Sequence, residues 1–374
     1  MSLQGFIKPV STYALSQDRG FLDGQIGCNI TVLDWEAPDL DCVDVVILGV
    51  GEARGAGFKD AEDTAPDRIR EHFYGLYYWH PEVRLGDAGN IRKGATLQDT
   101  YAALRSVLGE LTGAGKTVII LGGSHDLALG QYQLYRDQGR LAEVTGVDAL
   151  IDAHTDSPLR KDRFLLDMLT EEPNFIRHYN HIGFQSYYVH PKMLETLDKL
   201  HFDCYRVGKV REHLEEMEPV IRHSDMVSVD VVSMAGSYSP ASTISPNGFT
   251  GDEMCQLMRY AGLGSRLDTL GIYGYRPELD REGLTAAQIA QMVWYFLDGR
   301  QKRAQESPLE QRDDYNEFHT VFGDIESIFL QSKKTGRWWM QLPNRQFIAC
   351  SYADYLMASR NDIPERWFRA QERG

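Results

Sequence analysis

What most restricts the fold open to this chain is an alternation. From about residue 42 to residue 300, short β-branched apolar runs take turns with amphipathic stretches. The strand-like runs are Val43–Val50, Thr117–Leu121, Ala149–Ala153, His181–Tyr188, Cys204–Val207, Met226–Val232 and Leu267–Tyr273. Several are apolar at consecutive positions, as strands buried on both faces are. Helical patterns lie between them, over about residues 64–76 with Pro66 in the first turn, then 97–111, 126–135, 191–200, 251–260 and 286–297. Alternation of this kind builds right-handed βαβ units. The expected fold is therefore α/β: three layers, αβα, around a mainly parallel central sheet. Residues 1–300 are expected to form that domain, with 1–41 as a lead-in. The last stretch, 301–374, opens on the charged segment QKRAQESPLEQRDD and continues into an aromatic tail with Trp338, Trp339 and Trp367. It carries no motif of its own and is expected to pack on the same domain or on a neighbouring subunit.

Composition narrows the partners. Of 374 residues, 43% are apolar and 25% charged, enough to bury a large core without cross-links. The net charge of −15 repels phosphate backbones, so neither nucleic acid nor an anionic membrane is the expected partner. Five scattered cysteines, none in a C-x-x-C spacing, fit a reducing compartment and argue against a thiolate zinc site. The N-terminus has no apolar signal segment, and no run approaches the roughly 18–20 apolar residues of a spanning helix. The expectation is a cytoplasmic protein acting on a small molecule.

In open α/β sheets ligands bind beyond the carboxyl ends of the strands, where the loops converge. Polar residues of one kind gather at such ends here. The run VIILGG leads into Ser124-His125-Asp126; ALIDAHTDS carries Asp152, His154 and Asp156; MVSVDVVSM carries Asp230. On an extended chain positions i, i+2 and i+4 share a side, so Asp152, His154 and Asp156 can converge on one point. Carboxylates packed beside imidazole on an apolar scaffold are costly unless a cation neutralises them. A divalent metal answers that need, and the mixed oxygen and nitrogen shell suits Mn, Fe or Zn.

GGSHDLALG at 122–130, DAHTDS at 152–157 and SVDVVS at 228–233 resemble the three signature blocks of the arginase-like ureohydrolases: arginases, agmatinases and formimidoylglutamases. The similarity runs over roughly residues 45–300 and includes Ala65–Arg70, Asp87, Asn247–Thr250 and the 277–288 segment. The GGSHD block looks most like the form found in formimidoylglutamases. The resemblance implies the arginase–deacetylase fold and manganese, with Zn2+ or Fe2+ as other candidates. It implies that one metal takes His125, Asp152, Asp156 and Asp230, while a second takes His154 and shares Asp152 and Asp230. Asp156 thereby counts among the catalytic residues. His178 falls in the segment where some family members keep a proton-shuttling histidine, which makes it the candidate general acid. Arg177 is the candidate clamp for a substrate carboxylate, against a plain surface ion pair. Family members form homo-oligomers, and the resemblance extends that expectation here.

Two departures weaken the two-metal reading. The family's third block ends in a second aspartate that chelates the second metal, and Val232 stands there. The family's glutamate that pairs with a cationic amidinium is missing from Gly274-Tyr275-Arg276-Pro277. A classical arginase is thus disfavoured. The leading expectation is a metal-dependent hydrolase of linear amidine or formimino C–N bonds, like formimidoylglutamase, with one or two ions. Two alternatives stay open: a catalytically weakened relative with a binding or structural role, and a deacetylase-like amide hydrolase with one metal. In the last, Asp152, His154 and Asp230 would hold zinc and a tyrosine near Tyr273–Tyr275 would steady an oxyanion.

Overall fold

The computed structural model describes residues 3–16, 20–36, 38–58, 64–242 and 245–373. Its centre is a ten-stranded sheet made of β1 (Ile7–Lys8), β2 (Thr31–Val32), β3 (Val45–Val50), β4 (Leu85–Ile91), β5 (Thr117–Leu121), β6 (Ala142–Val147), β7 (Ile176–Phe184), β8 (Asp203–Arg206), β9 (Met226–Asp230) and β10 (Thr269–Tyr273). The order is β1-β4-β3-β5-β10-β9-β6-β7-β8, with β2 added beside β4. Every pairing is parallel except β1 with β4. Consecutive apolar residues follow from burial on both faces. In β3, Val45 and Ile47 enter one core while Val46, Leu48 and Val50 enter the other; Ile119 and Leu121 of β5 oppose Val118 and Ile120 in the same way.

The helices supply those two cores. Ala65–Tyr74, Gly251–Leu263 and Leu284–Arg303 cover one face; Leu97–Gly113, Leu127–Asp137, Phe164–Thr170 and Pro191–Lys199 cover the other. Leu97–Gly113 and Gly251–Leu263 each begin in a reciprocal cap, Thr96 with Asp99 and Thr250 with Glu253, which satisfies the first free N–H groups. This is the three-layer αβα architecture that the alternation demands.

Two strands sit elsewhere than the sequence suggests: the run expected at His181–Tyr188 is a strand over Ile176–Phe184, and a second is displaced altogether. The apolar run Ala149–Ala153 is loop, and the strand is the preceding Ala142–Val147. Pairing decides the matter: Val144–Val147 run level with Met226–Val229 of β9, so β6 ends at Val147 and Asp148 follows the last paired position. Leu85–Ile91 is a further strand absent from the expected set; its sequence LGDAGNI hides it, because two glycines and an aspartate dilute the apolar signal.

Residues 315–350 build a separate antiparallel sheet, β11 (Tyr315–Phe322), β12 (Ile325–Ser332), β13 (Trp338–Gln341) and β14 (Phe347–Cys350), in sequential order. Helices Tyr352–Ser359 and Glu365–Arg373 follow it, and Ala358 and Trp367 close its core with Phe322, Phe329, Trp338 and Met340. The sheet is seated on helix Met217–Arg222: Arg222 donates to the Trp338 carbonyl oxygen (2.9 Å) and lies 4.6 Å over the Trp339 ring. No helix among the described residues is long and apolar enough to cross a membrane.

Candidate metal centre

The centre is set by where neighbouring strands stop. Leu121 of β5 is level with Ile272 of β10, Tyr273 of β10 with Asp230 of β9, and Val147 of β6 with Val229 of β9. The residues just past these points therefore share one edge. After β5 the chain turns through Gly122 and Gly123; a Cβ on Gly123, at φ +76°, would lie 2.2 Å from Leu127 and 2.8 Å from two backbone oxygens. Only glycine allows this turn, and the turn delivers His125.

His125 is buried, and three buried carboxylates converge on its Nδ1: Asp148 at 3.0 Å, Asp230 at 3.3 Å and Asp152 at 3.5 Å. Its Nε2 is 2.7 Å from the Ser228 hydroxyl. Ser228 lies two residues before Asp230 on β9, hence on the same side of the strand. With Nε2–H donating to Ser228, the Nδ1 lone pair faces the carboxylates, the arrangement a metal-binding histidine takes. Despite its neighbours Nδ1 has no correctly directed hydrogen-bond partner, and Asp152 Oδ1 is likewise buried without one. Among the described residues, His125, Asp148 and Asp230 form the group whose ligand atoms could hold an ion.

Electrostatics point the same way. Burial alone would hold the imidazole neutral, but the three carboxylates outweigh it and raise the His125 pKa well above its usual value. Burial pushes the Asp148 and Asp152 carboxyls up, and each is raised further by a neighbouring carboxylate. Without a cation the cluster must hold protons that water would take at neutral pH. The residues present fit a divalent ion of the Mn, Fe or Zn kind, with three oxygen donors and one nitrogen donor.

Of the sequence candidates, His125, Asp152 and Asp230 come together. His154 and Asp156 do not: both are exposed on the following loop, in an open depression with Thr155, Ser157 and Asp162. The cause is the strand end at Val147. D-A-L-I-D at 148–152 and D-A-H-T-D at 152–156 overlap at Asp152, and the register places the first of them at the sheet's edge. Asp148 is the residue that the sequence reading missed. The doubled D-A-x-x-D spacing and the β-branched run before it were its signals.

Arg177 and His178 open β7, so about six residues, roughly 20 Å, separate His178 from the carboxyl end at Phe184. Neither is brought to the cluster. The His178 Nε2 is 3.1 Å from Asp203 Oδ2 and from Asn180 Oδ1, and Arg177 lies 3.9 Å from Glu143. A general acid or clamp at the wrong end of a strand cannot reach a substrate at the other. Asp126 also turns away, accepting from the Ser124 and Tyr101 hydroxyls under Gly55. The Tyr273 hydroxyl is buried and donates to Gln131 Oε1 (2.9 Å), which takes it out of the oxyanion role.

Cations rim this edge. Lys161, in the turn Arg160–Asp162, donates to Asp162 (2.5 Å); burial works against its charge, but Asp162, Asp152 and Asp230 raise its pKa. Arg276, past β10, lies 4.5 Å over the Phe58 ring and pairs with Glu278 at 2.7 Å. Behind the cluster, His181 Nε2 meets the Asp148 carbonyl oxygen at 3.2 Å and its Nδ1 meets the Tyr179 hydroxyl at 2.9 Å, while burial lowers its pKa to about 4.

Comparison with known proteins adds relatives. The arginase family model matches residues 43–298. Formimidoylglutamase of Hahella chejuensis is 42% identical over 102 residues, which is 26% of this chain and 30% of that protein's length. Formimidoylglutamase of Cupriavidus pinatubonensis is 25% identical over 283 residues, 67% of this chain and 86% of that protein. Among solved structures, Trypanosoma cruzi formiminoglutamase with Mn2+2 aligns at TM-score 0.64 and 17% identity, over 71% of this chain and 96% of that one. Bacillus subtilis formimidoylglutamase aligns at 0.65 and 18%, over 74% and 92%. At such identity the structural likeness speaks for the fold.

Proposed function

The chain belongs to the arginase family, and we propose that it is a metal-dependent hydrolase of linear C–N bonds, acting on a formimino compound. The reaction this favours is N-formimino-glutamate plus water giving glutamate and formamide: a C–O bond forms at the formimino carbon, its bond to the glutamate nitrogen breaks, and that nitrogen gains a proton. His125, Asp148, Asp152 and Asp230 would hold the metal, manganese as in the T. cruzi structure. Bound there, the ion would supply Lewis acidity toward water and toward the formimino nitrogen.

The chain's own residues do the rest. Ser228 engages His125 Nε2, and His181 steadies the Asp148 backbone. Lys161 and Arg276 put positive charge where a dianionic substrate would enter, and the family's amidinium-binding glutamate is missing from Gly274-Tyr275-Arg276-Pro277. Lys161 and Arg276, each paired with a neighbouring acid (Asp162 and Glu278), favour a dicarboxylate over a guanidinium substrate. The domain is read as residues 1–300, with 301–374 as an appendage. A cytoplasmic, oligomeric enzyme is the matching biological setting.

The observation that carries the proposal is the unpartnered Nδ1 of His125 aimed at three buried carboxylates on the edge where α/β sheets bind ligands. The test is glutamate release from N-formimino-glutamate by Mn2+-loaded protein, beside arginine and agmatine. Release from the formimino compound, lost by about 100-fold or more in Asp148→Asn, is expected. Equal rates in that variant, or turnover of arginine instead, would count against it.

A further inference from the structure

The carboxylates at the strand ends are half used already. Asp148 Oδ1 accepts the Leu150 N–H at 3.0 Å, and Asp230 Oδ1 accepts the Val232 N–H at 3.0 Å. The two turns are the same device on two strands. Each spends one carboxylate oxygen on the N–H two residues along and leaves only Oδ2 facing His125. The side chain two residues along is hydrocarbon in both, Leu150 and Val232, so neither turn adds a donor. The backbone closes the remaining approach to Asp230: a Cβ on Gly274, at φ +82°, would stand 2.2 Å from its Oδ1. A small space beside His125, Asp148 and Asp152, walled otherwise mainly by apolar residues such as Val144, Met168 and Met226, measures about 10 Å³.

From this arrangement we infer that the centre takes one divalent ion per chain, ligated by His125 Nδ1, the Oδ2 atoms of Asp148 and Asp230, and Asp152. That donor set provides four or, with both Asp152 oxygens, five ligand atoms, enough for one ion with a position left for water. A two-metal centre holds its ions about 3.5–4 Å apart and needs carboxylates that bridge, plus donors private to each ion. Here the Oδ1 atoms of Asp148 and Asp230 already accept N–H groups, which leaves Asp152 alone with both oxygens free, and the private positions are Leu150 and Val232. The protein's own cation on the adjoining turn is Lys161, ion-paired with Asp162 at 2.5 Å. The inference rests on the proposed function for its setting, but it concerns ion number, which activity does not measure.

The test uses the full chain purified without chelators, loaded with Mn2+, and freed of loose metal by gel filtration. Elemental analysis is expected to give one Mn per chain, and electron paramagnetic resonance an isolated-ion spectrum free of exchange coupling. Leu150→His with Val232→Asp is expected to raise the ratio to two and bring exchange coupling. Because that double substitution sits in the core, the exposed pair His154→Ala with Asp156→Asn provides the second arm and is expected to keep one Mn per chain. Two Mn in the natural protein, none after loading, or loss of the ion in the His154/Asp156 variant would each overturn the inference. A one-ion protein that leaves N-formimino-glutamate intact would instead sink the hydrolase reading and keep the ion count.

Discussion

At the scale of single residues, the site turns on which atoms already have partners. Ser228 takes Nε2 of His125 and the N–H groups of Leu150 and Val232 take Oδ1 of two aspartates, so the free atoms all face one point. A cation there is also felt by Lys161, whose ammonium interacts with Asp152 and Asp230. Removing that charge relieves repulsion. Lys161→Met should therefore tighten Mn2+ binding by roughly three- to tenfold, the size of about 1 kcal/mol from a partly screened pair. Isothermal titration of the two proteins checks this; weaker binding in the variant would show that Lys161 supports the ligand geometry rather than opposing the ion. His125 and Asp230 were legible in the sequence because each directly follows or ends an apolar run whose neighbours fix its end. Asp148 was not, since the aspartate four residues later begins a fuller motif with a histidine in it. Only the pairing of Val147 with Val229, a contact across 82 residues, selects between them.

At the scale of elements, what could be read locally was the interior of strands, and what could not was where they stop. Val118–Leu121 and Val45–Val50 declare themselves because both faces are buried and every position is apolar. Ends depend on neighbours, which is why Ala149–Ala153 looks like a strand and folds as a loop. Direction along a strand matters as much. Arg177 and His178 carry suitable chemistry but open β7, and the chemistry gathers where β5, β10, β9 and β6 close. The turn after β10 makes the dependence testable. Gly274 sits at φ +82° against Asp230, so Gly274→Ala adds both backbone strain and a clash with a proposed ligand. The expected cost is about 1–3 kcal/mol of stability, with Mn2+ affinity falling by more than about tenfold as Asp230 is displaced. Unfolding by denaturant and metal titration read the two effects separately. Full affinity in the alanine variant would place Asp230 outside the ligand set.

At the scale of the whole molecule, whose net charge is −15, three arginines gather with their carboxylate partners at the seam where the second sheet meets the main domain. Arg222, Arg337 and Arg366 all reach across it: Arg222 to the Trp338 carbonyl, Arg337 to the Leu263 carbonyl, Arg366 to Glu216. Among them lies His223, whose Nε2 accepts the Ala349 N–H of β14 at 3.0 Å. An acceptor nitrogen must be unprotonated. Burial first, and then the charges of Arg222, Arg266 and Arg366, lower its pKa to about 3. In the unfolded chain the same group titrates near 6.5. A base whose folded pKa is depressed contributes its full stability above the unfolded value and loses it as pH falls toward the folded one. His223 should therefore drain about 1.4 kcal/mol per pH unit between roughly pH 6.5 and pH 3. His223→Gln keeps an acceptor and does not titrate. Denaturant unfolding followed by tryptophan fluorescence, with Trp338 and Trp339 at the seam, should show wild type more stable or equal near neutrality. On acidification the gap should then shift toward the variant, by that amount per unit. Curves that stay parallel from neutrality to pH 4 would mean that the seam opens to water and His223 is protonated in place, so that the second sheet is held by its arginines and not by this nitrogen.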